Sequence, residues 1–214
     1  MTEQARPPDT SRGHPPGRKA AFIDRDGVIN QERGFVHRIE DFSFIPGALE
    51  ALQALRAAGY RLVVISNQSG IARGLYSESD YQQLTASMLG LMLAAGLELD
   101  GIQYCPHLAN APVERYRRDC DCRKPRPGMI LRAARDLNID LSTSILIGDR
   151  ATDLEAGRSA GVGRCYLVRS GCELTAEAIE AADAVFEDIG ACVRHVAGAG
   201  CGPERKSPRA GRGR

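Results

Sequence analysis

Tryptophan is absent from the 214 residues, and aromatic residues together make up only 5% of them. Stacking platforms for single-stranded nucleic acid need aromatic side chains, so that function is not expected. An excess of one charge is lacking too. Twenty-eight basic against 27 acidic side chains leave a net charge of +1, which points to no strongly charged partner. No apolar run reaches the roughly 20 residues of a membrane-spanning helix. The longest, from Leu84 to Leu97, is broken by Thr85, Ser87 and two glycines. The opening segment MTEQARPPDTSRGHPPGRK has no apolar stretch of the secretory kind. A cytoplasmic location is therefore expected, with neither membrane nor nucleic acid as partner. Nor do the cysteines come in an even set: seven cannot all pair within one chain, and in a cytoplasmic protein they read as metal ligands or buried thiols.

What is present suits one domain. Hydrophobic content of 43% in a chain of this length is enough for a core without covalent staples. Residues 1–18 and 198–214 are rich in Pro, Gly, Arg and Ser, show no apolar periodicity, and are expected to be disordered tails flanking a domain at 19–197. Within that domain, short apolar runs alternate with helix-period segments. Ala20–Ile23, Arg61–Ile65, Gly101–Tyr104, Ser144–Ile147, Arg164–Val168 and Ala184–Phe186 read as strands, the last at an edge. Leu49, Leu52 and Leu55 mark a helix opened by Pro46-Gly47 and stopped by Gly59. Ser77 begins another, with Asp80 as its capping-box partner and Tyr81, Leu84, Met88, Leu91 and Ala95 as its apolar stripe. Pro127 opens a third, and a fourth runs from Ala151 to Ala160, closed by Gly161. This alternation predicts an α/β fold: a Rossmann-like parallel sheet with helices on both faces.

In such sheets ligands bind beyond the carboxyl ends of the strands, so the residues just after each strand carry the interest. They are Asp24-Arg25-Asp26-Gly27 after the first strand and Ser66-Asn67-Gln68-Ser69-Gly70 at the second. Lys124 follows a cysteine-rich loop, and Gly148-Asp149-Arg150-Ala151-Thr152-Asp153 follows the fourth strand. Clustered carboxylates (Asp24, Asp26, Asp149) repel one another unless a hard cation lies between them, and Mg²⁺ prefers such oxygens. With that cation screening a phosphate, Asp24 can attack phosphorus while Ser66 and Lys124 hold the equatorial oxygens. Asp26 is placed to protonate the leaving alkoxide and later to activate water. Capping of helix N-termini would explain the carboxylates alone, but not the lysine or the Ser66-Asn67-Gln68 loop.

Cys105-Pro106-His107 and Cys120-Asp121-Cys122 are separated by 12 residues. Two close pairs of soft or borderline ligands fit a closed tetrahedral Zn²⁺ site of the structural kind. The metal would pin the loop bearing Arg123 and Lys124, which has little core of its own. A non-catalytic zinc module that binds nucleic acid through the Arg-rich tail is the alternative from a different class. It would have no use for Asp24, Asp26, Lys124 and Asp149 together.

The segments DRDGVIN, ISNQSG, RKPRPGM and IGDRATD resemble, in order, the four motifs of the haloacid dehalogenase superfamily, over roughly residues 20–190. The resemblance implies Asp24 as nucleophile, Asp26 as general acid and base, and Ser66 and Lys124 as holders of the phosphoryl group. It implies Mg²⁺ bound by Asp24, the backbone carbonyl of Asp26, and Asp149, with Asp153 ordering metal-bound water or Lys124. The zinc loop resembles that of the histidinol-phosphate phosphatase subfamily. Its length and the segment Glu32–His37 point to the branch that acts on a heptose bisphosphate, with histidinol phosphate as the alternative substrate. By the same resemblance Glu32, Arg33, Gly34, Phe35, Ser66, Asn67, Gln68, Ser69, Arg123, Lys124 and Arg150 contact the substrate, a small sugar phosphate. No large cap domain is inserted, and a monomer is expected.

Overall fold

The computed structural model describes residues 17–199. The tail assignments for 1–16 and 200–214 lie outside the described residues. Arg18 bridges to Ile139, and the last helix extends through Ala199.

Strand β1 (Ala20–Ile23) has no solvent exposure at any position, because it is central and covered on both faces. It is followed by α1 (Ala48–Ala57), β2 (Arg61–Asn67), the short α2 (Ser69–Ala72) and α3 (Glu78–Ala94). Then come β3 (Gly101–Cys105), α4 (Gly128–Leu137), β4 (Ile145–Gly148), α5 (Ala151–Ala160), β5 (Arg164–Val168), α6 (Ala176–Ala181), β6 (Ala184–Phe186) and α7 (Ile189–Ala199). All strands pair in parallel, in the order β3-β2-β1-β4-β5-β6. The chain leaves β1 towards β2 and β3, then returns to build β4, β5 and β6 on its other side. The carboxyl ends of β1, β2 and β4 therefore meet where the winding reverses, which is where such folds hold ligands.

Alternation along the strands divides the core in two. Ala21 and Ile23 face α1, α3 and α7, packing with Leu52, Met88, Met92 and Val193, whereas Ala20 and Phe22 face α4, α5 and α6, packing with Ile130, Ala133, Leu154 and Ala178. Truncating Phe22 or Leu52 to Ala is expected to cost about 3–5 kcal/mol, the range for large-to-small changes in a close-packed core.

The capping box of Ser77 and Asp80 forms as expected, with Asp80 N–H donating to Ser77 Oγ at 3.1 Å and Ser77 N–H to Asp80 Oδ2 at 2.8 Å. The apolar stripe of α3 differs from expectation. Tyr81, Leu84, Met88 and Met92 are buried while Leu91 is 48% exposed. The loop between His107 and Cys120 also has more core than its sequence suggested. Ala111 and Tyr116 pack with Ile71, Ala72, Tyr76 and Tyr81 in a small cluster of their own. No helix among the described residues is long and apolar enough to cross a membrane.

Candidate active site

β1 ends by handing Asp24 N–H to Ile147 O at 3.0 Å, which fixes the start of the following turn against β4. Gly27 sits in the left-handed region (φ 83°), and a Cβ there would run into the Asp149 carboxylate; so would one at Gly171. The absence of side chains at these two positions lets three backbone segments close around Asp149.

Asp24, Asp149 and Asp153 are each at most 7% exposed, and their carboxylate oxygens lie within 4.8 Å of one another. Lys124 is 3% exposed and stands among them, 3.0 Å from Asp24 Oδ1 and 2.6 Å from Asp153 Oδ1, while also donating to Ile65 O at 3.1 Å. Burial disfavours its charge, but Asp153 and Asp24 outweigh that and hold the ammonium protonated above its ordinary range. One lysine does not balance three carboxylates. Burial lifts Asp24 well above the usual carboxylate range; Lys124 opposes the rise, and Asp153, Asp149 and Asp26 add to it. Burial and then Asp153 push Asp149 up to about 6. Asp149 Oδ1 is buried without a hydrogen-bond donor, whereas Oδ2 accepts from Cys172 N–H at 3.1 Å. Excess negative charge beside an orphaned oxygen fits a divalent cation with oxygen ligands.

The Asp26 carboxylate turns away from this group. It accepts from Arg25, with Nη2 at 2.8 Å, from Asn30 Nδ2 at 3.1 Å and from Gln68 Nε2 at 3.1 Å. Its side chain therefore stands outside the carboxylate cluster. Gln68 Nε2 also donates to Ser66 Oγ at 2.7 Å, and Gln68 Oε1 accepts from the Tyr76 hydroxyl at 2.6 Å.

These groups open into a cleft of about 750 Å³, lined also by Glu32, Gly34, Phe35, Asn67, Ser69, Arg123 and Arg150. Arg33 is not among the lining residues. It is exposed, with Nη2 donating to Gln31 Oε1 at 2.9 Å, because the left-handed turn at Gly34 leaves its side chain outside. Asn67 is engaged with protein: its amide pairs both ways with the Lys124 backbone, at 3.1 Å each. Arg150 lies 3.8 Å from Glu32 and 3.7 Å from Asp149. Arg73 and Tyr76, after α2, and Cys172, Glu173, Leu174 and Thr175, after β5, complete the lining and went unnoticed in the sequence. The signal for the second group was available, since it too follows a strand.

Cys105, His107, Cys120 and Cys122 converge at the end of β3. Five of the six separations among the sulfurs and His107 Nδ1 run from 3.2 to 3.8 Å, and all four ligand atoms lie within 4.8 Å of one another. Ligands about 2.3 Å from a tetrahedral zinc are separated by about 3.7 Å, so the four side chains are already spaced for one. The loop is tied to the cleft through Arg123 Nη1, which donates to His107 O at 3.3 Å, and Gln68 N–H, which donates to Cys105 O at 2.8 Å.

The sequence model described as haloacid dehalogenase-like hydrolase matches residues 21–91, and a second HAD hydrolase-like model matches residues 121–192. A Photorhabdus laumondii protein named D-glycero-beta-D-manno-heptose-1,7-bisphosphate 7-phosphatase is 47% identical, over 81% of this chain and 92% of its own length. The Escherichia coli K12 protein of the same name is 46% identical over 79% and 89%. This chain belongs to the haloacid dehalogenase-like hydrolases. Among solved structures, the D,D-heptose 1,7-bisphosphate phosphatase of B. bronchiseptica, complexed with magnesium and phosphate, superposes with a TM-score of 0.73. It is 31% identical, and the match covers 85% of this chain and 99% of that one.

Proposed function

We propose that this chain is a Mg²⁺-dependent phosphatase that removes the 7-phosphate of D-glycero-β-D-manno-heptose 1,7-bisphosphate, leaving the heptose 1-phosphate. The observation that carries the reading is the buried Asp24–Lys124–Asp153 arrangement beside an orphaned Asp149 oxygen. Relatives at 46–47% identity that bear this name support the substrate.

Asp24 attacks phosphorus, and the bond to the C7 oxygen breaks as the aspartyl phosphate forms. Asp26 gives its proton to that oxygen, then takes one from the water that hydrolyses the intermediate. Ser66 donates its hydroxyl, and Lys124 its ammonium, to the equatorial oxygens as charge grows there. Asp24, the Asp26 carbonyl and Asp149 would hold Mg²⁺, which when bound would supply the positive charge that lets an anionic phosphate approach a carboxylate. Glu32, Gly34, Phe35, Ser69, Arg123 and Arg150 line the substrate's path. Asn67 and Gln68 act by holding Lys124, Ser66 and Asp26 in place. Zn²⁺ on Cys105, His107, Cys120 and Cys122 orders the loop that carries Arg123 and Lys124. One chain supplies every one of these groups, so a cytoplasmic monomer acting on a small sugar phosphate, without nucleic acid or membrane, is sufficient.

The test is phosphate release from the heptose bisphosphate with Mg²⁺ present, after EDTA, and after Mg²⁺ is restored. A protein that turns over no phosphate monoester under these conditions would sink the reading. Preference for histidinol phosphate would move it to the neighbouring substrate.

A further inference from the structure

We propose that Tyr76 is a positioning residue for phosphoryl transfer, acting through the Gln68 amide on Ser66 and Asp26 together. The inference rests on the phosphatase reading and adds to it a residue that no motif contains.

Gln68 is 2% exposed and every atom of its amide is committed: Nε2 to Ser66 Oγ at 2.7 Å and to Asp26 Oδ2 at 3.1 Å, Oε1 to the Tyr76 hydroxyl at 2.6 Å. With Nε2 within hydrogen-bond distance of both Ser66 Oγ and Asp26 Oδ2, the amide nitrogen is the end turned towards the chemical groups. That leaves the amide oxygen pointing away, where a buried acceptor without a donor would be costly. Tyr76, 7% exposed, supplies the donor, and burial raises its phenol well above its ordinary range, so the proton stays. The consequence reaches both chemical groups. Ser66 Oγ accepts from Gln68 and keeps its own O–H for a phosphoryl oxygen, while Asp26 is held at one fixed oxygen. Without the phenol, the buried amide oxygen loses the donor that fixes it, and the side chain is held on its nitrogen side alone.

The local fold is arranged to deliver that phenol. A Cβ at Gly70 would collide with the Tyr76 ring, so glycine is needed for the ring to cross α2. Gly74 (φ 73°) then turns the chain, and Leu75 N–H closes on Gly70 O at 3.0 Å. On its other side the ring stacks on His37, with centroids 4.8 Å apart and planes 4° from parallel. His37 Nδ1 in turn lies 2.8 Å from the carbonyl of Phe35, a residue of the cleft.

Tyr76→Phe keeps the ring and removes the hydroxyl alone. It is expected to lower kcat on an alkyl phosphate about tenfold with KM within twofold, the scale of one lost buried hydrogen bond. An aryl phosphate whose leaving group needs no proton should lose less, because only the share carried by Ser66 remains. Gln68→Met removes the amide, and combining it with Tyr76→Phe should be no worse than Gln68→Met alone, since the two act as one unit. Equal losses on both esters, or additive losses in the double variant, overturn the proposal. So does Tyr76→Phe activity equal to wild type. Wild-type protein that hydrolyses neither ester overturns the phosphatase reading itself.

Discussion

Asp153 holds the Lys124 ammonium at 2.6 Å, closer than Asp24 does at 3.0 Å. Asp153 sits in the first turn of α5, where its other oxygen accepts Arg150 N–H at 3.1 Å. The lysine is therefore anchored by a carboxylate that is itself fixed to a helix, and is presented to the nucleophile instead of being neutralised by it. Lys124→Met is expected to abolish turnover and, in EDTA, to cost about 3–5 kcal/mol of unfolding stability, because it strands buried carboxylates. Mg²⁺ should raise the melting temperature of this variant more than that of wild type, since a ligand of the folded state stabilises by its own affinity. Thermal melts with and without Mg²⁺ check both statements; an equal Mg²⁺ increment in the two proteins counts against the anchoring role.

Asp24→Asn is expected to leave less than about 1% of wild-type activity with the fold intact, since an amide is a poor nucleophile. Asp26→Asn should be nearly as damaging on an alkyl phosphate and milder on an activated aryl phosphate. The split follows because a departing alkoxide needs a proton and an activated aryl oxide does not, and Asp26 lines the cleft outside the cluster around Asp149. Steady-state kinetics on both esters is the measurement, and equal losses would remove Asp26 from the proton-transfer role.

Purified protein is expected to carry close to one Zn²⁺ per chain. Cys120→Ser should release it, lower the melting temperature and reduce activity, because Arg123 reaches back to His107 O and Lys124 follows directly. The small cluster of Ala111, Tyr116, Tyr76 and Tyr81 should keep the loop from unfolding altogether, so partial activity is expected. Elemental analysis without zinc in protein prepared free of chelators would refute the site.

Much of this was legible in the sequence, for identifiable reasons. Asp24, Ser66 and Asp149 end or follow apolar strands, and a parallel sheet gathers such positions at one edge. Ser77 and Asp80 announce their helix end by a purely local rule. Tyr76 is different: its place depends on a bare Gly70 beneath its ring and on an amide it meets only after the chain turns at Gly74. Arg33 lies outside the cleft lining although its neighbours Glu32 and Gly34 belong to it, next to the left-handed turn at Gly34. Contact order in space, not spacing along the chain, decided these two.

The last prediction concerns which phosphate leaves. Among the described residues no inserted domain covers the cleft, so a phosphate on the flexible C7 arm can reach Asp24 more easily than one set against the sugar ring. The remaining anomeric phosphate then lies at the rim, where Arg123 and Arg150 line the wall. Arginine suits this role because its planar fork binds two phosphate oxygens at once. Arg150 is 52% exposed and shares its charge with Glu32 and Asp149 at 3.7–3.8 Å, so Arg123 is the better placed to respond. Arg123→Ala is expected to raise KM for the bisphosphate at least tenfold more than for a monophosphate, about 1.4 kcal/mol of binding carried by the second phosphate alone. The monophosphate also serves as control for any loosening of the zinc loop through the lost bond to His107 O, which would affect both substrates. Phosphorus NMR of the wild-type product decides the regiochemistry: a surviving anomeric phosphate agrees with this orientation, and a surviving C7 phosphate reverses it.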